Sequence, residues 1–198
     1  MIGQLRLDNL DACARDVLAK DVPGDFIETG VWRGGAAILM RGVLEAFGDT
    51  QRRVFLADSF EGLPRTNVEK YPADAGLDFF NEMPELAVSE EEVRANLARY
   101  DLLDDRCVLV KGWFKNTLPE LGAERWSLIR MDGDRYESTI DALASLYPNL
   151  SPGGYLLIDD YEINACKQAV HDYRTKHGIV EPIQHVDWTG AYWQRAAA

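Results

Sequence analysis

Three carboxylates at the ends of two hydrophobic runs offer this chain its most distinctive chemistry. Ser127-Leu-Ile-Arg-Met-Asp132-Gly-Asp134 reads as a buried strand ending on Asp132, and Gly154-Tyr-Leu-Leu-Ile-Asp159-Asp160 as a second strand ending on two acids. Parallel strands of open α/β sheets carry ligands outside their carboxyl ends, so the three acids are expected at one rim. No Lys or Arg stands within three residues of Asp159 and Asp160. A divalent cation held by Asp132, Asp159 and Asp160 would relieve their repulsion; Mg²⁺ takes a few carboxylates and leaves room for substrate oxygens. The competing reading is that Asp159 and Asp160 are neighbours only because a loop begins there. On the metal reading, coordination acidifies and orients a hydroxyl, and Asp132 doubles as general base.

A second constellation lies upstream. Asp25-Phe-Ile-Glu28-Thr29-Gly30-Val31-Trp32-Arg-Gly34-Gly35 reads as a short strand, a glycine-bearing turn and the start of a helix over about 33–47. These are the parts of a nucleotide-type binding loop, in which backbone approaches ligand. Arg53-Val-Phe-Leu-Ala-Asp58 is the next strand, and an acid ending it can accept from the hydroxyls of a ribose, with Ser59 and Phe60 beside it. Ser89-Glu-Glu-Glu92 forms a capping box, the Ser89 hydroxyl either capping alone or also touching ligand. Gly112, Trp113 and Phe114 follow a further strand; the aromatics, like Trp188, either fill core or pack against a bound adenine or acceptor.

The elements that must position these residues alternate. Helical spacing marks 7–20, with Asp8 and Asp11 in its first turn; strands are expected at 53–58, 106–111, 127–132, 154–160, 179–186 and 191–194, and helices at 136–147 and 165–177. The helix over 136–147 should turn Ile140, Leu143, Ala144 and Tyr147 inward, with Asp134 at its amino end as cap. This alternation predicts a mostly parallel seven-stranded α/β sheet, Rossmann-like, helices on both faces, with one antiparallel strand near the carboxyl end, in a single domain over 1–198. The long connection from Glu61 to Val88 is of a length that usually carries function.

A net charge of −12 disfavours a nucleic acid or anionic membrane partner, both of which need clustered Lys and Arg. No apolar run reaches membrane-spanning length and the first residues do not form a signal peptide, so the expected location is cytoplasmic. Cys13, Cys107 and Cys166 are too scattered for a zinc site or disulfide framework. His171 and His185 are isolated and read as solvated or structural, and His177 as a favourable helix end.

Taken together, Phe26–Gly35, Leu56–Pro64, Gly112–Phe114, Met131–Thr139, Ile158–Tyr161 and Asp187–Gly190 resemble the macrocin O-methyltransferase (TylF/MycF-like) family, over nearly the whole chain. The resemblance implies class I methyltransferase architecture, S-adenosylmethionine as donor, Mg²⁺ as metal, and a sugar hydroxyl of a glycosylated, macrolide-type natural product as acceptor. Glu28, Thr29, Gly30, Val31 and Trp32 would then line the methionine and sugar side of the donor, with Asp58 on its ribose. Family members are typically longer at the amino terminus, where a segment helps close over cofactor and acceptor, and homo-oligomers are expected. Two other readings stay open: a catechol or phenol acceptor with the same donor and metal, and a nucleotide-binding module without catalysis.

Overall fold

A computed structural model describes residues 2–77 and 83–196, so the connection beginning at Glu61 lies partly outside the described residues. Seven strands, β1 (Asp25–Thr29), β2 (Val54–Asp58), β3 (Cys107–Lys111), β4 (Trp126–Met131), β5 (Leu150–Ile158), β6 (Gln184–His185) and β7 (Ala191–Gln194), form one sheet in the order β3-β2-β1-β4-β5-β7-β6. Pairing is parallel from β3 to β5, and β7 runs antiparallel to both its neighbours. The expected fold is therefore the one observed.

Strand residues alternate between two cores because successive side chains point to opposite faces. Phe26, Leu56 and Leu128 meet helices α1 (Gln4–Ala19), α2 (Gly35–Ala46) and α3 (Glu90–Ala98). Ile27, Phe55 and Ile129 meet α5 (Tyr136–Leu146) and α6 (Asn164–His177) on the other face. The single turn α4 (Phe114–Thr117) follows β3. No described helix is long and apolar enough to cross a membrane, and all three cysteines are buried and free.

Four local expectations are corrected. Helix α1 begins at Gln4, before the expected start, so its first turn holds no acid and Arg6 becomes a helical residue. The strand expected over 179–186 contracts to Gln184–His185; Pro182, which has no N–H to donate, interrupts it. In α5 the buried face runs through Thr139, Ala142, Leu143 and Leu146, while Ala144 is exposed. The cap of α5 is not Asp134 but Asp74, from the connection after β2: its buried carboxylate accepts from the backbone N–H of Tyr136 at 2.6 Å and of Glu137 at 3.1 Å. Ser89 does cap α3, accepting from Glu92 N at 3.2 Å.

Order reverses between β1 and β4: from β1 the chain works outward through β2 and β3, from β4 through β5. A crevice opens at such a switch point, beyond the carboxyl ends of the strands.

Candidate active site

The turn after β1 is built on backbone contacts. Gly30 has φ +84°, and a Cβ there would sit 1.8 Å from the Asp132 carbonyl oxygen. Glycine thus lets the ends of β1 and β4 abut, and Asp132 N donates to Thr29 O at 2.8 Å. Asp58 closes the turn from the other side, accepting from Val31 N at 2.7 Å, Trp32 N at 3.3 Å and Phe60 N at 2.8 Å. Burial raises its pKa while those three N–H donors oppose the rise. Ser59 donates to Gly62 O at 2.6 Å and so tightens the bend that follows.

Beneath the turn lies a buried charge network. Glu28 and Arg130 are register partners on β1 and β4. Arg130 Nη1 donates to Glu28 Oε1 at 2.6 Å, and Nη2 donates to Asp132 Oδ2 at 2.9 Å and to Asp159 Oδ1 at 2.6 Å. Arg6, reaching in from α1, pairs with the other oxygen of Asp159 and through Nε with Asp187 Oδ2 at 3.0 Å. Asp159, uncompensated in sequence, is thus compensated in space by two arginines. Burial pushes Glu28 up to about 8 against the pull of Arg130, and Glu28 Oε2 has no hydrogen-bond partner.

One oxygen each of Asp132, Asp134 and Asp160 falls within 4.8 Å of the others, a grouping able to hold a metal ion. Asp134, at φ +58°, donates its backbone N–H to Asp160 Oδ2 at 3.1 Å. Burial and the neighbouring acids raise Asp134 to about 7 and push Asp160 well above the ordinary carboxylate range. Asp159, expected beside Asp160, has both oxygens engaged by arginine, and Asp134 stands in the trio.

A cavity of about 860 Å³ spans the crevice. Among the residues expected to bind donor, Glu28, Gly30, Val31, Trp32, Asp58, Ser59, Gly112, Trp113, Phe114 and Asp132 line it, as do Asp159 and Asp160. Thr29, Phe60 and Ser89 do not: Thr29 is fully buried, Phe60 packs in the core beside the turn and Ser89 is at the head of α3. Arg6, Arg130, Asp134, Trp188 and Thr189 also line it. Arg130 was signalled by a charge inside an apolar strand, since a buried charge requires partners; nothing in sequence linked Arg6 to the site.

The family profile described as Macrocin-O-methyltransferase (TylF) matches residues 1–195. The 8-demethyl-8-(2,3-dimethoxy-alpha-L-rhamnosyl)-tetracenomycin-C 4'-O-methyltransferase of Streptomyces olivaceus is 54% identical over 198 residues, covering 100% of this chain and 76% of that relative. The mycinamicin III 3''-O-methyltransferase of Micromonospora griseorubida is 48% identical over 199 residues, covering 100% and 78%. The solved structure of the O-methyltransferase NovP superposes with a TM-score of 0.96 at 48% identity, covering 98% of this chain and 81% of NovP. The glycine turn, the acids beyond β4 and β5 and these likenesses agree, and the chain belongs to the macrocin-O-methyltransferase family of S-adenosylmethionine-dependent O-methyltransferases.

Proposed function

We propose that the protein transfers a methyl group from S-adenosylmethionine to a sugar hydroxyl of a glycosylated natural product, with a divalent cation bound at the acids beyond β4 and β5. The observation that carries this reading is the convergence of Asp132, Asp134 and Asp160 in a cavity that the Gly30 turn also lines. The relatives' names supply the acceptor class: a rhamnosyl tetracenomycin, mycinamicin III and demethyldecarbamoylnovobiocin. The expected setting is antibiotic biosynthesis.

In this reading the free Glu28 Oε2 accepts from the ammonium group of the donor's methionine part, and the Gly30–Trp32 backbone lies along it. Asp58 fixes the turn and borders the ribose. Methyl transfer from a sulfonium needs alignment and an activated oxygen more than covalent help from the protein. Asp132 takes the hydroxyl proton on the oxygen that Arg130 leaves free.

An all-oxygen carboxylate set of this kind suits Mg²⁺. Asp132 and Asp160 would hold the cation, with a third carboxylate from Asp134, which lies in the trio, or from Asp159, which would first have to leave Arg6. Such a cation would acidify the acceptor hydroxyl and hold it in line with the methyl. Asn substitutions at Asp134 and Asp159 separate the two ligand sets by their effect on Mg²⁺ affinity.

The test is incubation with S-adenosylmethionine and a panel of a rhamnosyl polyketide, a macrolide glycoside and a catechol, with and without EDTA. Methylation of the glycosides, lost with EDTA and restored by Mg²⁺, is expected. Turnover of the catechol alone would overturn the acceptor, and turnover indifferent to EDTA would overturn the metal.

A further inference from the structure

Trp188 leaves 80% of its surface in water, yet it lines the same cavity as Asp132 and Asp160. An isolated exposed aromatic is ordinary on a protein surface; what distinguishes this one is the bracing on either side. Asp187 Oδ1 accepts from Thr189 N at 3.0 Å and Gly190 N at 2.7 Å, while its Oδ2 accepts from Arg6. Thr189 is buried, and its hydroxyl donates to the Asp159 carbonyl at 3.0 Å. Val186 N donates to Gly190 O at 2.8 Å, and a Cβ on Gly190 would lie 2.8 Å from Arg6 Cδ. The backbone around Trp188 is thus fixed to α1 and to the residue after β5, while the indole is left outside.

Topology assigns this indole to the acceptor's side. Across the sheet the Gly30 turn follows β1, the acids follow β4 and β5, and the 187–190 turn leads into β7, next to β5. A donor at the Gly30 turn therefore has the acids between it and Trp188. A hydroxyl presented to those acids belongs to a molecule whose remainder extends toward the indole. An indole carried on a fixed backbone has only its two side-chain torsions to order on binding, and its flat apolar face suits another apolar ring system.

We propose that Trp188 is the platform on which the apolar aglycone of the glycosylated acceptor lies, making it a specificity-determining residue for the part of the acceptor remote from the methylated hydroxyl. This rests on the glycoside reading above.

The test compares wild type, Trp188→Ala and Trp188→Phe on two acceptors, a tetracenomycin rhamnoside and methyl α-L-rhamnopyranoside, which has the sugar but no aglycone. Calorimetry with S-adenosylhomocysteine monitors the donor side. Trp188→Ala should lower kcat/KM for the tetracenomycin rhamnoside about tenfold, mainly through KM, while Trp188→Phe keeps most of it. Methyl rhamnoside kcat/KM and S-adenosylhomocysteine affinity should stay within about twofold, which also reports that the variant is folded. Equal losses on both acceptors, or none on either, would overturn the platform. Failure of the wild type to methylate these two compounds and a macrolide glycoside alike would overturn the glycoside reading, and the platform with it.

Discussion

Gly30 and Asp132 touch through their backbones, so closely that a Cβ on Gly30 would lie 1.8 Å from the Asp132 carbonyl oxygen. The donor turn and the acidic turn are one packed unit. Gly30→Ala should cost about 2–4 kcal/mol of stability, from the strained φ and the clash, and abolish donor binding. Gly42→Ala is the control, because it lies within α2 away from the cavity and a Cβ there would make only an ordinary 3.9 Å contact with Leu102. Urea unfolding and donor calorimetry on both variants decide the matter, and equal behaviour would refute it.

Arg130 is almost fully buried and serves three carboxylates at once. Arg130→Met should destabilise by about 3–5 kcal/mol, because Glu28 and Asp159 would lose the partner that offsets their burial. Adding Glu28→Gln should recover part of that loss. A double-mutant cycle by urea unfolding measures the coupling; additive losses would mean that the pair does not interact.

Asp132 is assigned the proton. Asp132→Asn should abolish methyl transfer while S-adenosylmethionine affinity stays within a few fold, roughly, since donor contacts lie at the Gly30 turn. A rate near wild type would remove Asp132 from the chemistry.

Asp134 gives a pH signature. Its folded pKa of about 7 is above the ordinary carboxylate value of 3.8, so the folded protein holds the proton more tightly than the unfolded chain. Its contribution to stability is full below the lower value and declines as pH rises between the two. Asp134→Asn should therefore melt above the wild type at pH 8 and lose that advantage near pH 4. Mg²⁺ should raise the wild-type Tm at pH 8, EDTA should reverse the rise, and the variant should respond less. Identical melting of the two proteins without metal at both pH values would contradict the repulsion among these acids.

Asp74 ties the connection after β2 to α5. Asp74→Ala should cost about 1–2 kcal/mol, the usual loss for a helix cap. Limited proteolysis should then cut within 61–77 faster than in wild type, at an unchanged rate elsewhere; unchanged cleavage would mean that other contacts hold the segment.

Strand endings were legible in sequence because burial on both faces leaves continuous apolar runs, and an acid stopping such a run is conspicuous. This is how Asp58, Asp132 and Asp159 could be located, along with the Gly30 turn. What escaped depends on distance in space. Arg6 reaches Asp159 across 153 positions and Asp74 caps a helix 62 positions away, separations over which no local pattern operates. Asp134 sits where a helix cap is expected, but its backbone is left-handed and its N–H donates to Asp160. Pro182 shortened β6 in a stretch whose composition otherwise favoured a strand.

The guanidinium of Arg130 is buried, fastened by a residue of β1, by the residue just past β5 and by the acid just past its own strand. Drawing so many like charges together is therefore accomplished once, as the strands zip up during folding, and does not recur with every turnover. An incoming substrate meets an electric field already in place, and evolution can change what enters the chamber by altering its outer rim without disturbing that field.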